Sequence, residues 1–227
     1  SRDGNKIRVS AALSKGSNMR PPGENLAKGE TLISKGQMIT AALIGQLAAS
    51  GTAQLPVSRR IRVAILSTGD EVVAAGNSAT SGQIFDANRP MLKAMLQHNH
   101  IDLIDCGIVP DNKDALADAY EQALQGADVV ISSGGASDGI EDHTQNAMLQ
   151  IGAECVFWRL AMKPGRPMAV GRRGKELIFC LPGNPVAAFV CTRLLILPLL
   201  GRACGGAWQP ALKIGVPAGF THPKKPG

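Results

Sequence analysis

Aromatic side chains are scarce in this chain: two Trp, one Tyr and five Phe, 4% of 227 residues. Surfaces for single-stranded nucleic acid stack bases on aromatic rings set among basic residues. No such interleaving occurs here, so the net charge of +6 suits a small polyanion better than a nucleic acid. Cysteine is also sparse. Cys106, Cys155, Cys180, Cys191 and Cys204 make an odd count with no C-x-x-C pair, as expected of free thiols in a cytoplasmic protein and not of a disulfide framework. None of the four histidines stands at zinc-ligand spacing from them. The chain has no phosphate-binding G-x-x-x-x-G-K and no G-x-G-x-x-G, which argues against a P-loop NTPase and a Rossmann dehydrogenase. There is no signal peptide pattern. The longest apolar run, 186–200, is interrupted by Thr192, Arg193 and Pro198; it is expected to be a buried helix and not a membrane span.

What is present is punctuation. Gly 26 and Pro 14 mark many sharp turns, scattered without a repeat. Residues 1–58 are turn-rich and are expected to form part of a β-rich domain, with one helix over 40–50 ended by Gly51. From residue 60 the pattern alternates. Strands are expected at 62–67, 101–109, 129–132, 155–160, 167–171 and 177–181, the last two as a hairpin. Helices are expected at 88–97, with Asn88 as N-cap, and at 111–124, 142–149 and 186–200. Such alternation with short connections predicts an α/β fold: a three-layer, doubly wound, mostly parallel sheet over 60–203. Residues 207–227 are expected to begin a further β domain. With no initial Met and strand-like material at both ends, the chain reads as a piece of a longer protein.

Four short loops follow predicted strands: STGDE (67–71), SSGGASDG (132–139), MKPGRP (162–167) and LPGNP (181–185). Ligands of open α/β sheets bind beyond the carboxyl ends of the strands. The first loop offers Thr68 and Gly69 for phosphate contact, and Asp70 and Glu71 for Mg²⁺, which favours carboxylates and water. In the second, Gly134 and Gly135 allow close backbone approach. Ser133 and Ser137 carry hydroxyls, Asp138 and Gly139 complete the turn, and Asp142 stands where it can cap the next helix or reach a metal. The third sets Lys163 and Arg166 on a proline-braced turn, as fixed cations for an oxyanion. In the fourth, Pro182 and Gly183 lead to Asn184 as a cap and Pro185 at the first helical position. Taken singly, each loop is also what a plain turn looks like.

Taken together and in order, RVAILSTGDEV (62–72), GQIFDANR (82–89), DVVISSGGASDG (128–139), LAMKPGRP (160–167) and IFCLPGNPVA (178–187) resemble the molybdopterin molybdenumtransferase family, to which the gephyrin E domain belongs. The stretch 18–36 resembles that family's second domain. The resemblance implies an enzyme that inserts molybdenum, from molybdate, into adenylylated molybdopterin with release of AMP. Glu71 and Asp142 would hold Mg²⁺, and Lys163 and Arg166 would hold molybdate or phosphate. It also implies a homodimer in the full-length protein and dealings with other molybdenum-cofactor enzymes. Two positions depart from the family pattern: Asp111-Asn112 stands where paired acids are frequent, and Arg159 where Lys is frequent. A related molybdopterin adenylyltransferase shares the sheet and the Gly-Gly loop, and a non-catalytic ligand-binding scaffold of the same fold is the reading from another class.

Overall fold

The computed structural model describes residues 2–7, 12, 14–98, 100–135, 143–207, 213–217 and 219–221. Ser137, Asp138, Gly139 and Asp142 lie outside the described residues. The chain divides into two compact units, Ser1–Leu55 and Pro56–Gly227.

In the first unit, β1 (Arg2–Asp3) pairs antiparallel with β2 (Lys6–Ile7). These are the only strands among its described residues. Turns lead from there to α1 (Ala41–Ala49). Thr40 caps this helix, its Oγ accepting the Leu43 N–H at 3.3 Å. Leu43 and Leu47, four residues apart, form its buried side. Gly51 ends it at φ +80°, as a left-handed residue after a helix should.

In the second unit the elements are β3 (Ile61–Thr68), β4 (Val72–Val73), β5 (Ile84–Phe85), α2 (Asn88–Met95), β6 (Ile101–Val109), α3 (Lys113–Gly126), β7 (Val129–Ser133), α4 (His143–Gln150), β8 (Glu154–Trp158), β9 (Ala169–Arg173), β10 (Glu176–Leu181) and α5 (Pro185–Cys191). A π-helical turn, Thr192–Ile196, joins α5 to α6 (Leu197–Ala203). Six strands form one sheet in the order β6-β3-β7-β10-β9-β8. Pairing is parallel from β6 through β10, and β9 runs antiparallel to both of its neighbours. The α/β architecture with a mostly parallel sheet is therefore as the sequence implies.

Alternation along β3 divides the core into two layers. Val63 and Ile65 face α2 and the α5–α6 run, with Leu92, Leu96, Cys191, Ile196 and Leu200. Ala64 and Leu66 face the other way, toward Leu116, Tyr120, Ala147 and Met148 of α3 and α4. Both faces of the central strands are covered, so these strands read as unbroken apolar runs.

Three local expectations need correction. Asn88 is not a cap. The residue before α2 is Ala87, which makes no capping bond, while Asp86 accepts the Arg89 N–H at 3.0 Å and Asn88 turns its side chain inward. Helix α3 starts at Lys113 with Asn112 as its cap, because Asp111 belongs to the preceding turn. The apolar run is longer than expected: Pro185–Ala203 is one helical stretch of 19 residues, long and apolar enough by length and composition to cross a membrane. Ala188, Cys191, Ile196 and Leu200 pack it into the core against the sheet, so it serves here as a core helix.

Candidate functional site

Strand β3 leads through α2 to β6 on one side, and β7 leads through α4 to β8 on the other. The adjacent strands β3 and β7 thus flank the topological switch point, where a crevice opens beyond the carboxyl ends of a doubly wound sheet. Five of the six strands, all but β9, present their C-terminal ends there. Cys180 pairs with Ala169 and Trp158 with Ala169, which sets the 162–167 loop, between β8 and β9, on the same edge. The described residues of all four loops chosen from the sequence lie at this rim.

The first two loops are pressed together. A Cβ on Gly134 would stand 2.0 Å from the Thr68 carbonyl oxygen, and one on Gly135 would stand 2.8 Å from Thr144 Oγ1 and 3.2 Å from Thr68 Cγ2. Both glycines have positive φ, +102° and +65°. No side chain fits at either position, and the backbone itself forms the crevice wall. Gly69 is similar: a Cβ there would meet Val72 and the Glu71 carboxylate, at 2.8 and 3.0 Å. Glu71 is exposed and lies over Gly69, whereas Thr68 is buried and donates its hydroxyl weakly, at 3.5 Å, to the Pro110 carbonyl.

Asp70 makes a contact that its sequence position did not suggest. Its Oδ1 accepts the Asp111 N–H at 3.0 Å and ties the β3 loop to the turn after β6. Oδ1 of Asp111 is itself buried without a partner, and a Cβ on Gly135 would approach it to 3.4 Å. Asp111 therefore stands among the rim loops, as a candidate that the sequence reading did not select. Its signal was one acid after a strand, at the position where the resemblance leads one to expect two.

Ser132 and Ser133 point to opposite faces, as successive strand residues must. Ser132 shares a hydrogen bond with the buried Tyr120 hydroxyl at 2.8 Å. Ser133 accepts an N–H of Asn88 at 2.6 Å. Asn184 caps α5, its Oδ1 accepting the Val186 and Ala187 N–H groups at 2.9 and 3.2 Å, with Pro185 at the first helical position. Lys163 and Arg166 are exposed and have no carboxylate partner among the described residues. Between them Gly165 is buried, where a Cβ would meet Cys191 Sγ at 2.6 Å, so the cationic loop is seated on α5. Burial raises the Cys191 thiol above its usual range, in keeping with a packing role.

A charged network sits behind the rim. Asp86 accepts the Ser67 hydroxyl and the Arg89 Nε–H, each at 3.0 Å, and one terminal nitrogen of Arg89 donates to both oxygens of Asp105. Burial pushes the Asp105 carboxyl up, but hydrogen bonds from Arg89 and the Gly107 N–H, with the charges of Arg89 and Lys93, outweigh it and hold the group below the ordinary range. Among the described residues no cluster of three or more His, Cys, Asp or Glu side chains is arranged to enclose a metal ion.

Comparison with known proteins gives a consistent identity. Residues 64–202, more than half of the chain, match the family described as "Probable molybdopterin binding domain". The molybdopterin molybdenumtransferase of Haemophilus influenzae is 39% identical over 188 residues, covering 83% of this chain and 46% of that protein. Molybdopterin molybdenumtransferase 2 of Mycobacterium tuberculosis is 34% identical over 216 residues, 92% of this chain and 53% of that protein. The crystal structure of the molybdopterin biosynthesis MoeA protein from Pyrococcus horikoshii superposes with a TM-score of 0.71 at 33% identity, covering 81% of this chain and 45% of that one. The chain spans about half the length of the curated relatives it matches. It belongs to the molybdopterin-binding domain family.

Proposed function

We propose that this chain is the substrate-binding core of an enzyme that inserts molybdenum, supplied as molybdate, into adenylylated molybdopterin and releases AMP. The observation that carries the reading is the contact of Gly134 and Gly135 with Thr68 at the switch point of the sheet. That contact makes a wall of bare backbone, suited to close approach by a phosphate. Thr68, Gly69, Ser133, Gly134 and Gly135, with Ser137, Asp138 and Gly139 of the same loop, would line the pterin phosphate and adenylate. Pro182, Gly183, Asn184 and Pro185 would close the other side.

Lys163 and Arg166, free of carboxylates among the described residues, would hold molybdate or phosphate oxygens: Arg by a planar fork, Lys as a point charge. Glu71 and Asp142 would carry Mg²⁺. Mg²⁺ takes one or two carboxylates and completes its shell with water and substrate phosphates, and the orphaned Oδ1 of Asp111 adds an acceptor of the right kind near Gly135. When bound, the ion would offset charge on the phosphoanhydride. The dimeric state and any delivery of cofactor to other enzymes belong to the whole protein, as do activity and turnover.

The test is an anaerobic binding titration with adenylylated molybdopterin. Lys163→Ala is expected to weaken binding about tenfold or more, since a charge-assisted hydrogen bond contributes roughly 1.5–3 kcal/mol, with the thermal midpoint unchanged. Unchanged affinity with a lowered midpoint would make Lys163 structural and sink the assignment.

A further inference from the structure

Asn88 touches two rim loops at once. One N–H of its carboxamide goes to Ser133 Oγ at 2.6 Å, the other to the Gly183 carbonyl at 2.8 Å, and the residue is 8% exposed. Those partners lie 45 and 95 residues along the chain, one the last residue of β7, at the start of its loop, and one in the turn after β10.

The consequence is one of polarity. In a planar trans peptide the C=O and the next N–H point in opposite directions. Anchoring the Gly183 carbonyl on Asn88 therefore turns the Asn184 N–H away from Asn88. Ser133, whose oxygen already receives an N–H, keeps its own proton to give. Neither the Asn184 N–H nor the Ser133 hydroxyl proton has an acceptor among the described residues. Asn88 Oδ1 is buried without a partner, a cost that a residue chosen for stability alone would avoid.

Resting on the reading of the rim given above, we infer that Asn88 is a positioning residue. It fixes the polarity of the loops after β7 and β10 so that both offer hydrogen-bond donors, with the Gly183 carbonyl turned away, to an anionic group of the ligand. An Asp at this position has nearly the same shape and the opposite character. As a carboxylate it can only accept, so it would draw the Ser133 proton inward, repel the Gly183 carbonyl and add a negative charge.

The experiment compares wild type, Asn88→Ala, Asn88→Asp, Ser133→Ala and the Asn88→Ala/Ser133→Ala double variant by anaerobic titration with adenylylated molybdopterin, each with a thermal midpoint. Side-chain amide exchange of Asn88 in the wild type is followed by NMR. Asn88→Ala is expected to lose about tenfold in affinity, with a midpoint shift too small to unfold the protein at the titration temperature. Asn88→Asp is expected to lose more, and to regain affinity as the pH is lowered and its carboxyl again donates, a step absent from the wild type. Ser133→Ala should lose less than Asn88→Ala, and the two losses should not add. Asn88 variants that bind as tightly as wild type, or lose affinity only in proportion to lost folded protein, overturn the inference. If the wild type itself does not bind, the reading of the rim falls, and the NMR arm still decides: Asn88 amide protons that exchange as fast as those of the exposed Asn77 rule the brace out.

Discussion

At Gly134 the backbone of one loop touches the backbone of another, and no side chain can yield to relieve a clash. A methyl group there would stand 2.0 Å from the Thr68 oxygen, at a φ of +102°. Strain at such a φ and overpacking each cost roughly 1–3 kcal/mol. Gly134→Ala is therefore expected to destabilise the fold by more than about 2 kcal/mol in urea unfolding. Gly183→Ala is the control. Its Cβ would meet Gly134 Cα at 3.8 Å, an ordinary contact, and its φ is not positive. It is expected to stay within about 1 kcal/mol of wild type. Equal effects from the two would mean that the loops after β3 and β7 are not packed as described. The Gly-Gly pair was legible in the sequence because its requirement is local, a strand followed by a turn. Asn88 was not, because its partners are 45 and 95 residues distant and its position before a helix suggested the commoner role of cap. Asp70 and Glu71 were legible as a pair of acids, but only tertiary packing sends the first to the Asp111 N–H and leaves the second exposed over Gly69.

Elements were legible where one face pattern sufficed. The cores of β3, β7 and β10 are apolar runs between turns, and their positions follow from that. Their ends depend on pairing. Strand β9 begins at Ala169, two residues later than the apolar run suggests, because its ladder starts where Cys180 and Trp158 are opposite. The irregular register between β3 and β6 at Ile65 and Ser67, where Asp105 accepts the Gly107 N–H and Gly107 has φ +78°, has no local signature beyond one glycine. The start of α5 shows the opposite case. Asn then Pro after a strand is a complete capping instruction, and Asn184 accepts two amide protons as the sequence implies. Asn184→Ala is expected to cost about 1 kcal/mol, and Asn184→Asp, which keeps the accepting oxygen, only a few tenths. If thermal unfolding finds the two variants equally destabilised, the cap is not what holds the start of this helix.

Across the whole sheet the two edges divide the work. Among the described residues, the carboxyl edge is lined with glycines, acceptors without a donor and cations without a carboxylate. At the amino edge charges are paired off. Asp128, just before β7, takes both arms of the Arg59 guanidinium at 2.7 and 2.9 Å and the Arg62 N–H at 2.8 Å. The Arg59 hydrogen bonds, and after them the Arg62 backbone and side-chain bonds and the Arg59 charge, outweigh burial and hold the Asp128 carboxyl at about 2, from an ordinary 3.8. His100, on the same edge, is held below its usual range by burial and by stacked His98. Both shifts are downward, and each has the same consequence for stability. The His100 contribution is complete above 6.5 and declines as the pH falls through its lowered folded value, because the unfolded chain takes up the proton first. The Asp128 contribution is complete above 3.8 and is lost as the pH falls through about 2. Stability should therefore decline in two stages on acidification, the first below neutrality and the second below pH 4. Asp128→Asn separates them. In urea unfolding it is expected to be less stable than wild type at pH 6, with the same gap at pH 5, and the gap should close as the pH approaches 2, while the first stage is unaffected. A gap that stays constant down to pH 2 would show that Asp128 contributes through its shape and not through its charge.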